Sequence, residues 1–218
     1  MDQTDSFIEE VTEEVRRDRL FAAFRKYGWI GVVAIVAIVG GSAFTEWRSI
    51  RARDAAQAFG DSLLAAVQAD DPGAALSEIQ ADGPRVGVAK LMSAAQAVQD
   101  GRADAALADL NAVAADATLP ASLRDLARLK AVLIAGDTMT AEARRTELEA
   151  LAQPGAPYRL MALEQLAVLA LETGDTAAAI AKAREVLSDS AVTPGLQQRA
   201  TELIVALGGD PAAETATQ

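Results

Sequence analysis

The sequence predicts an all-α protein in which one transmembrane helix is followed by a helical-repeat (α-solenoid) domain. Three observations carry this prediction. One stretch near the N-terminus contains no Asp, Glu, Lys or Arg over nineteen positions. Helix-breaking glycines recur at nearly constant spacing in the remainder. Apolar residues there recur every three or four positions, without the alternation typical of strands, as in Leu160, Leu163, Leu166 and Leu169.

The uncharged stretch runs from Tyr27 to Thr45, and we predict a membrane-spanning helix over residues 27–46. A helix rises about 1.5 Å per residue, so this segment matches the ~30 Å hydrocarbon core of a bilayer. Amphipathic aromatic side chains typically mark the two membrane–water interfaces. They are present here at both ends of the segment, as Phe24, Tyr27 and Trp29 before it and Phe44 and Trp47 after it.

The basic residues around this segment predict its direction. Five Lys or Arg residues lie shortly before it and three lie shortly after it. Positive charge is retained on the cytoplasmic side, so we expect a cytoplasmic N-terminus and a C-terminal domain on the other side. The alternative is a signal peptide cleaved after Ala43. The long, acidic preceding region argues against that alternative, because signal peptides usually begin with a short basic region.

Two short patterns suggest contacts with other proteins. In the segment itself, Ala34, Ala37 and Gly41 form a stripe of small residues that would allow another membrane helix to approach closely. The alternative is a lipid-facing helix with ordinary small residues. In the head, residues 1–26, we predict an amphipathic helix with a capping box at its start. This helix either serves for cytoplasmic docking or dimerisation, or is a short solvated helix that leads into the span. The anchors of a docking face would be Phe7, Val11 and Val15.

We assign residues 47–218 to the repeat domain, with a disordered tail from about residue 209. Four glycines set its period, because they are 35, 38 and 34 residues apart and suit helix ends: Gly101, Gly136, Gly174 and Gly208. A period near 34 that holds two helices and two turns is typical of tetratricopeptide-type repeats. We expect a degenerate first pair at Arg53–Ala69 and Pro72–Gln80 and a last helix near Thr193–Leu207. The alternative is an irregular helical bundle.

The clearest repeat unit is Tyr158–Ala191. It resembles the tetratricopeptide consensus at five positions: Leu166, Ala167, Gly174, Ala179 and Leu187. It departs from the consensus at four others, where large aromatic residues or a terminal proline are usual: Leu163, Ala170, Ala183 and Ala191. The resemblance implies a groove that binds proteins, but the departures prevent us from assigning groove residues.

Charge and missing residue types exclude several classes of function. The net charge is −11, which disfavours binding to nucleic acid phosphates. The chain has no His and no Cys, so Ser-His-Asp catalysis, thiol nucleophiles and His- or Cys-ligated metals are excluded. Carboxylates alone remain, in three groups that we interpret as solvated charge: Asp70 with Asp71, Asp100 with Asp104, and Glu142 with Glu147 and Glu149. We therefore expect no enzyme activity, no cofactor and no small-molecule substrate.

The order of these parts resembles the YfgM-like ancillary subunits of the bacterial SecYEG translocon. The resemblance rests on the block Arg25–Arg48 and on the unit Tyr158–Ala191. It implies a single-pass inner-membrane protein with a periplasmic domain, which links the translocon to periplasmic chaperones and emerging secreted proteins. Two alternatives stay open. One is an assembly scaffold for another envelope complex, in cytochrome biogenesis or respiration. The other is a carboxylate-dependent hydrolase, which would lose activity on substitution of Asp104 or Glu147.

Overall fold

A computed structural model describes residues 3–211, apart from the side chains of residues 3–24, 27, 28, 31, 32 and 34. The described part of the chain is α-helical, and a single turn of 3-10 helix at Gly136–Thr138 follows the fifth helix. The α-helices are α1 (Gln3–Val67), α2 (Pro72–Ser77), α3 (Pro84–Gln99), α4 (Ala103–Ala115), α5 (Ala121–Ala135), α6 (Ala141–Leu151), α7 (Arg159–Glu172), α8 (Thr176–Leu187) and α9 (Pro194–Ala206).

The chain divides into two compact units, Met1–Ala58 and Phe59–Gln218. In the first unit, the predicted head and the predicted span lie on one helix, because α1 continues from Gln3 past both of them. The described apolar side chains between Trp29 and Ile50 are mostly solvent-exposed, and Ile38 reaches 72% exposure. Where side chains are described, no helix combines the length and the apolar character needed to cross a membrane. The span over residues 27–46 therefore stays a prediction.

The second unit is a series of helices in which each helix packs against the next, from α2 to α9. Its apolar side chains form three successive clusters. The first joins the end of α1 to α2 and α3, and contains Leu63 and Leu76. The second lies among α3, α4 and α5, and the third extends from α5 to α9. Because each cluster is shared by consecutive helices, the unit has the nearest-neighbour organisation of a helical repeat. The predicted all-α, repeat-like fold is confirmed for this unit.

Three glycines end their helices with the same geometry. Gly101, Gly174 and Gly208 have φ values of 72°, 82° and 75°, in the left-handed region. Each glycine N–H donates to the carbonyl three residues earlier, at 3.0 Å in every case. The following N–H donates to the carbonyl five residues earlier, as from Asp175 to Ala170 at 2.8 Å. This pair of bonds is the Schellman motif, which satisfies carbonyls that the helix leaves unpaired.

The fourth predicted terminator differs in detail. Gly136 also has a positive φ, 47°, but the chain continues from it into the 3-10 turn. Polar side chains cap the helices that follow two of these glycines. Asp175 does so for α8, because its side chain accepts from the N–H of Ala178 at 2.9 Å. For α6 the cap is Thr140, whose hydroxyl accepts from Ala143.

Alanine fills the interior of the repeat unit. Nearly half of the buried apolar residues among those described are alanines, and most of the others are leucines. No aromatic side chain lies among them. Small side chains let helix backbones approach closely. At Gly87 in α3, an added Cβ would lie 3.0 Å from a methyl carbon of Leu119. The last helix, α9, matches the predicted Thr193–Leu207 closely, since Thr193 caps it and Leu207 ends it.

Candidate interaction surface

Four aliphatic residues stand at one register position in alternate helices. Each lies three residues before a glycine with positive φ, at the end of α3, α5, α7 or α9. Their exposed fractions are 44%, 48%, 39% and 57%, so each leaves a large part of its side chain in water. We call them the aliphatic series: Val98, Leu133, Leu171 and Val205. Single exposed apolar residues are ordinary, but these four recur at one register position.

Helix α7 presents the widest part of this surface. Met161, Glu164, Val168 and Leu171 are spaced as i, i+3, i+7 and i+10, and therefore share one helix face. None of these four side chains is buried, whereas Ala162, Leu163, Leu166 and Ala170 on the opposite side are. Helix α7 is therefore amphipathic. One face packs in the core cluster, and the other is left for solvent or a partner.

Two clefts flank this face of α7. The first, of about 200 Å³, lies among α5, α6 and α7 and is lined by Leu133, Gln165, Val168 and Glu172. The second, of about 380 Å³, lies among α7, α8 and α9 and is lined by Val168, Leu203 and Ala206 among others. Val168 lines both clefts, so the two clefts adjoin along α7.

Ion pairs hold the walls of these clefts. Arg144 of α6 donates to Glu172 of α7 at 2.7 Å, and its side chain is only 15% exposed. Arg199 of α9 donates through two nitrogens to the two carboxylate oxygens of Glu164 in α7, one bond measuring 3.0 Å. The hydrogen bonds that Arg199 donates to Glu164 raise the pKa of Arg199 above its ordinary value. The planar two-bond geometry fixes α9 relative to α7.

A third cavity, of about 500 Å³, opens at the other end of α7. It is lined by Tyr158, Leu160, Met161 and Leu196, with the charged side chains of Arg159 and Asp189 beside them. Arg159 donates to both Glu185, at 2.8 Å, and Asp189. Its guanidinium is thus used to tie the start of α7 to the end of α8, and Met161 joins this cavity to the exposed face of α7.

The predicted interaction residues lie elsewhere, on α1. Ala37 and Gly41 are one helical turn apart and exposed, and an added Cβ at Gly41 would meet nothing within 4 Å. The side chain of Ala34 lies outside the described residues, and so do those of Phe7, Val11 and Val15. The small-residue stripe and the head face therefore stay predictions.

The carboxylates that the sequence singled out have structural roles wherever the structure shows their contacts. Asp71 caps α2 by accepting from the N–H of Ala74, and Asp100 accepts from Arg102 and Gln96. These two hydrogen bonds lower the pKa of Asp100, and the hydroxyl and backbone N–H of Thr118 likewise lower that of Asp116. Among the described residues, no cluster of three carboxylates could hold a metal ion.

A family model described as tetratricopeptide repeat-like domain matches residues 24–154, more than half of the chain. The chain belongs to the tetratricopeptide repeat-like domain family. No curated protein and no solved structure shows significant similarity to it. Domains of this repeat-like kind are typically non-catalytic protein-interaction scaffolds, so the chain has protein partners. Nothing identifies it with the YfgM-like subunits in particular.

The extent of the match is informative in two ways. It begins at residue 24, so the matched residues include the uncharged segment of α1. It ends at residue 154, before the unit Tyr158–Ala191 that resembles the repeat consensus most clearly. Yet α7 ends at Gly174 with the same Schellman bonds as α3 at Gly101. The repeat geometry thus extends beyond the matched residues.

The aliphatic series was missed in the sequence, although its signal was present. The glycine period was recognised, and a Val or Leu stands three residues before every glycine in it. The sequence did not show whether these residues were buried or exposed, since apolar residues at helix ends serve both purposes.

Proposed function

We propose that this protein is a membrane-tethered interaction module whose repeat domain binds an apolar segment of a partner protein. The observation that carries the proposal is the exposed aliphatic series, which places Val98, Leu133, Leu171 and Val205 at one register position in alternate helices. A helix or an extended chain laid across several repeats would cover these side chains together, as ligands of helical repeats do.

The charge of the chain favours a particular partner. The repeat domain, residues 47–218, carries most of the net charge of −11. The clefts beside α7 contain the carboxylates of Glu164 and Glu172. Both carboxylates already bind arginines, so they do not add free negative charge in the clefts. A partner segment with apolar residues in its centre and basic residues at its edges would complement this surface.

Photo-crosslinking from the surface tests the binding role. A photoreactive amino acid replaces Leu133 or Leu171 in the full chain, and Leu64 serves as the matched control. Leu64 is 62% exposed but lies near the end of α1, outside the aliphatic series. We expect one shared protein adduct from positions 133 and 171 and none from position 64. Leu133→Asp together with Leu171→Asp should abolish that adduct when the crosslinker is moved to Val168.

Equal adducts from all positions, or adducts that survive the double substitution, would show that the aliphatic series is not the binding surface. Circular dichroism and thermal unfolding of the double variant must match those of the original chain. Because Leu133 and Leu171 are substantially exposed, their substitution should leave the folded state intact.

We further propose that the uncharged segment anchors the chain in the bacterial inner membrane, with a cytoplasmic N-terminus and a periplasmic repeat domain. Exposed apolar side chains such as Ile35, Val36 and Ile38 support an apolar environment for this part of α1. Aromatic residues at both ends support an interfacial boundary. Tethering would raise the effective concentration of the repeat domain for membrane partners without adding contacts.

Because the chain contains no cysteine, single introduced cysteines can test this topology. A single cysteine is placed at Asp5 or at Gln57, and intact cells are treated with a maleimide that cannot cross the inner membrane. Labelling at residue 57 only, in protein that alkaline carbonate does not extract, is the expected result. Labelling at residue 5 only would show that the orientation is the opposite of the one proposed. Extraction by carbonate would contradict the membrane anchor.

For the partner, we propose the Sec translocon together with a periplasmic chaperone and emerging secreted proteins. The arrangement of parts described from the sequence supports this choice. The alternative is a scaffold for assembly of another envelope complex. Purification in mild detergent followed by mass spectrometry distinguishes the two, because translocon subunits or redox-complex subunits would be recovered. Photo-crosslinking from Ala37 and Gly41 tests lateral docking of the span, and adducts with lipid alone would exclude it.

A further inference from the structure

A group of aromatic and arginine side chains lies on α1 just after the uncharged segment. Phe44 and Trp47 have ring centroids 6.1 Å apart, with planes tilted by 33°. Arg48 lies over Phe44, with its guanidinium carbon 5.9 Å from the ring centroid, and Arg51 lies over Trp47 at 4.0 Å. Each arginine is one helical turn beyond its ring, which is the spacing that brings side chains together on a helix. We call these four residues the arginine–aromatic group.

A cation–π contact with a ring uses none of the hydrogen-bond donors of a guanidinium group. A guanidinium is planar and donates its hydrogen bonds from its edge, so stacking on a ring leaves its N–H groups available. Neither Arg48 nor Arg51 forms an ion pair with a carboxylate in the described part of the chain. All four side chains of the group are exposed. The result is a pair of oriented, unneutralised hydrogen-bond donors.

The neighbouring residues indicate what these donors meet. On the N-terminal side, the described apolar side chains of the segment are exposed around the helix, including Ile35, Ile38 and Val39. On the C-terminal side, residues 51–58 are polar or small and exposed. The group thus stands where a strongly apolar surface changes to a polar one. Aromatic rings and long cationic side chains occupy such a boundary in membranes.

We propose that the arginine–aromatic group binds the phosphate of an anionic phospholipid headgroup at the outer surface of the membrane. The guanidinium edges of Arg48 and Arg51 would donate to phosphate oxygens, for which their fork geometry is well suited. Phe44 and Trp47 would lie at the level of the glycerol backbone and hold both arginines in position. This inference rests on the membrane anchor proposed above and adds a lipid class to it.

Retention of lipid by the full-length protein is the test. The protein is reconstituted into nanodiscs that contain phosphatidylcholine and phosphatidylglycerol, then released in mild detergent, and bound lipid is counted by native mass spectrometry. We expect retention of phosphatidylglycerol over phosphatidylcholine. Removal of each stacked arginine, as Arg48→Gln or Arg51→Gln, should reduce that preference about fivefold. Arg53→Gln is the matched control, because Arg53 has the same charge and location but no ring contact in the described residues.

The outcomes separate this inference from the anchor. Insertion with equal retention of both lipids, or an equal loss in Arg53→Gln, would overturn the lipid site and leave the anchor intact. Failure of the protein to enter the nanodiscs would overturn both the lipid site and the anchor. Inorganic phosphate is added as a competitor. If it displaces phosphatidylglycerol at millimolar concentration, the site recognises free phosphate, and the lipid proposal is wrong.

Discussion

Single glycines determine where the helices of the repeat domain stop. At Gly174 the backbone adopts φ 82°, which any side chain with a Cβ adopts only with strain. The bonds from Gly174 to Leu171 and from Asp175 to Ala170 both depend on this conformation. The turn between α7 and α8 is therefore encoded largely by one residue.

We expect Gly174→Ala to destabilise the repeat domain by about 1–2 kcal/mol, because the alanine must occupy the left-handed region. Gly60→Ala is the matched control. Gly60 lies within α1, has no positive φ, and has open space around an added Cβ. That control should stabilise the chain by about 0.5–1 kcal/mol. Urea unfolding measures both, and equal effects of the two substitutions would contradict the argument.

Single carboxylates make part of the folding stability of the domain sensitive to acid. Asp116 accepts from the backbone N–H of Thr118 at 2.9 Å and from its hydroxyl at 2.6 Å, and these bonds lower its pKa in the folded state. Its contribution to stability is therefore fully present above the pKa of the unfolded chain, about 3.9. It is lost as the pH falls through that value toward the lower folded pKa.

Asp116→Asn should accordingly cost stability at neutral pH and much less in strong acid. The measurement is the free energy of unfolding in urea between neutral pH and the acid range, for the original chain and the variant. Thr118→Val provides an intermediate case, because it removes the hydroxyl donor and keeps the backbone N–H. A difference between original and variant that stays constant with pH would rule out the charge of Asp116 as its cause.

Between elements, arginines join neighbouring helices by pairing with carboxylates far along the chain. Arg159 at the start of α7 reaches Glu185 and Asp189 at the end of α8, and its side chain is 22% exposed. Partial burial reduces solvent screening, and two acceptors restrain the guanidinium. This contact should therefore be worth more than a typical surface pair.

A double-mutant cycle on Arg159 and Asp189, each changed to alanine, should give a coupling free energy of about 1 kcal/mol. The comparison pair is Arg85 and Asp82, which are 3.2 Å apart but 91% exposed at the aspartate. For that pair we expect a few tenths of a kcal/mol. Thermal or urea unfolding supplies the values. Equal coupling in both cycles would mean that burial of Arg159 adds nothing.

Several helix ends of the repeat domain could be predicted from the sequence, because they depend on local chemistry. All four glycines of the predicted series have positive φ, and Asp175 caps α8. Other features depend on packing. Gly83 and Gly155 also adopt positive φ but fall outside the glycine period. The exposure of Leu133 and Leu171 follows from which neighbours cover each helix, and no local pattern contains that information.

At the scale of the whole repeat unit, stability should vary from the centre to the end. Helix α7 packs against α6 and α8, and the largest core cluster surrounds it. Helix α9 packs mainly on α8 and closes the described series. In such nearest-neighbour structures, an end element can open without disturbing the rest.

Hydrogen exchange measured by mass spectrometry should therefore show the slowest exchange in peptides from α7 and faster exchange in those from α9. Gly87→Val offers a contrast at the other side of the unit, because its added side chain would press on Leu119 in the second cluster. It should accelerate exchange in α3 to α5 more than in α9. Uniform protection across the unit would argue against repeat-like behaviour.

The alanine-filled interior has a consequence for how this protein can change over time. Truncation of a buried alanine removes one methyl group, whereas enlargement forces two closely approaching backbones apart. These positions should therefore tolerate a smaller residue better than a larger one. Examples are Ala106, Ala162 and Ala179, all with 0% exposure. New binding specificity should therefore evolve at the exposed positions of the aliphatic series, where larger side chains can be substituted without changing the spacing of the helices.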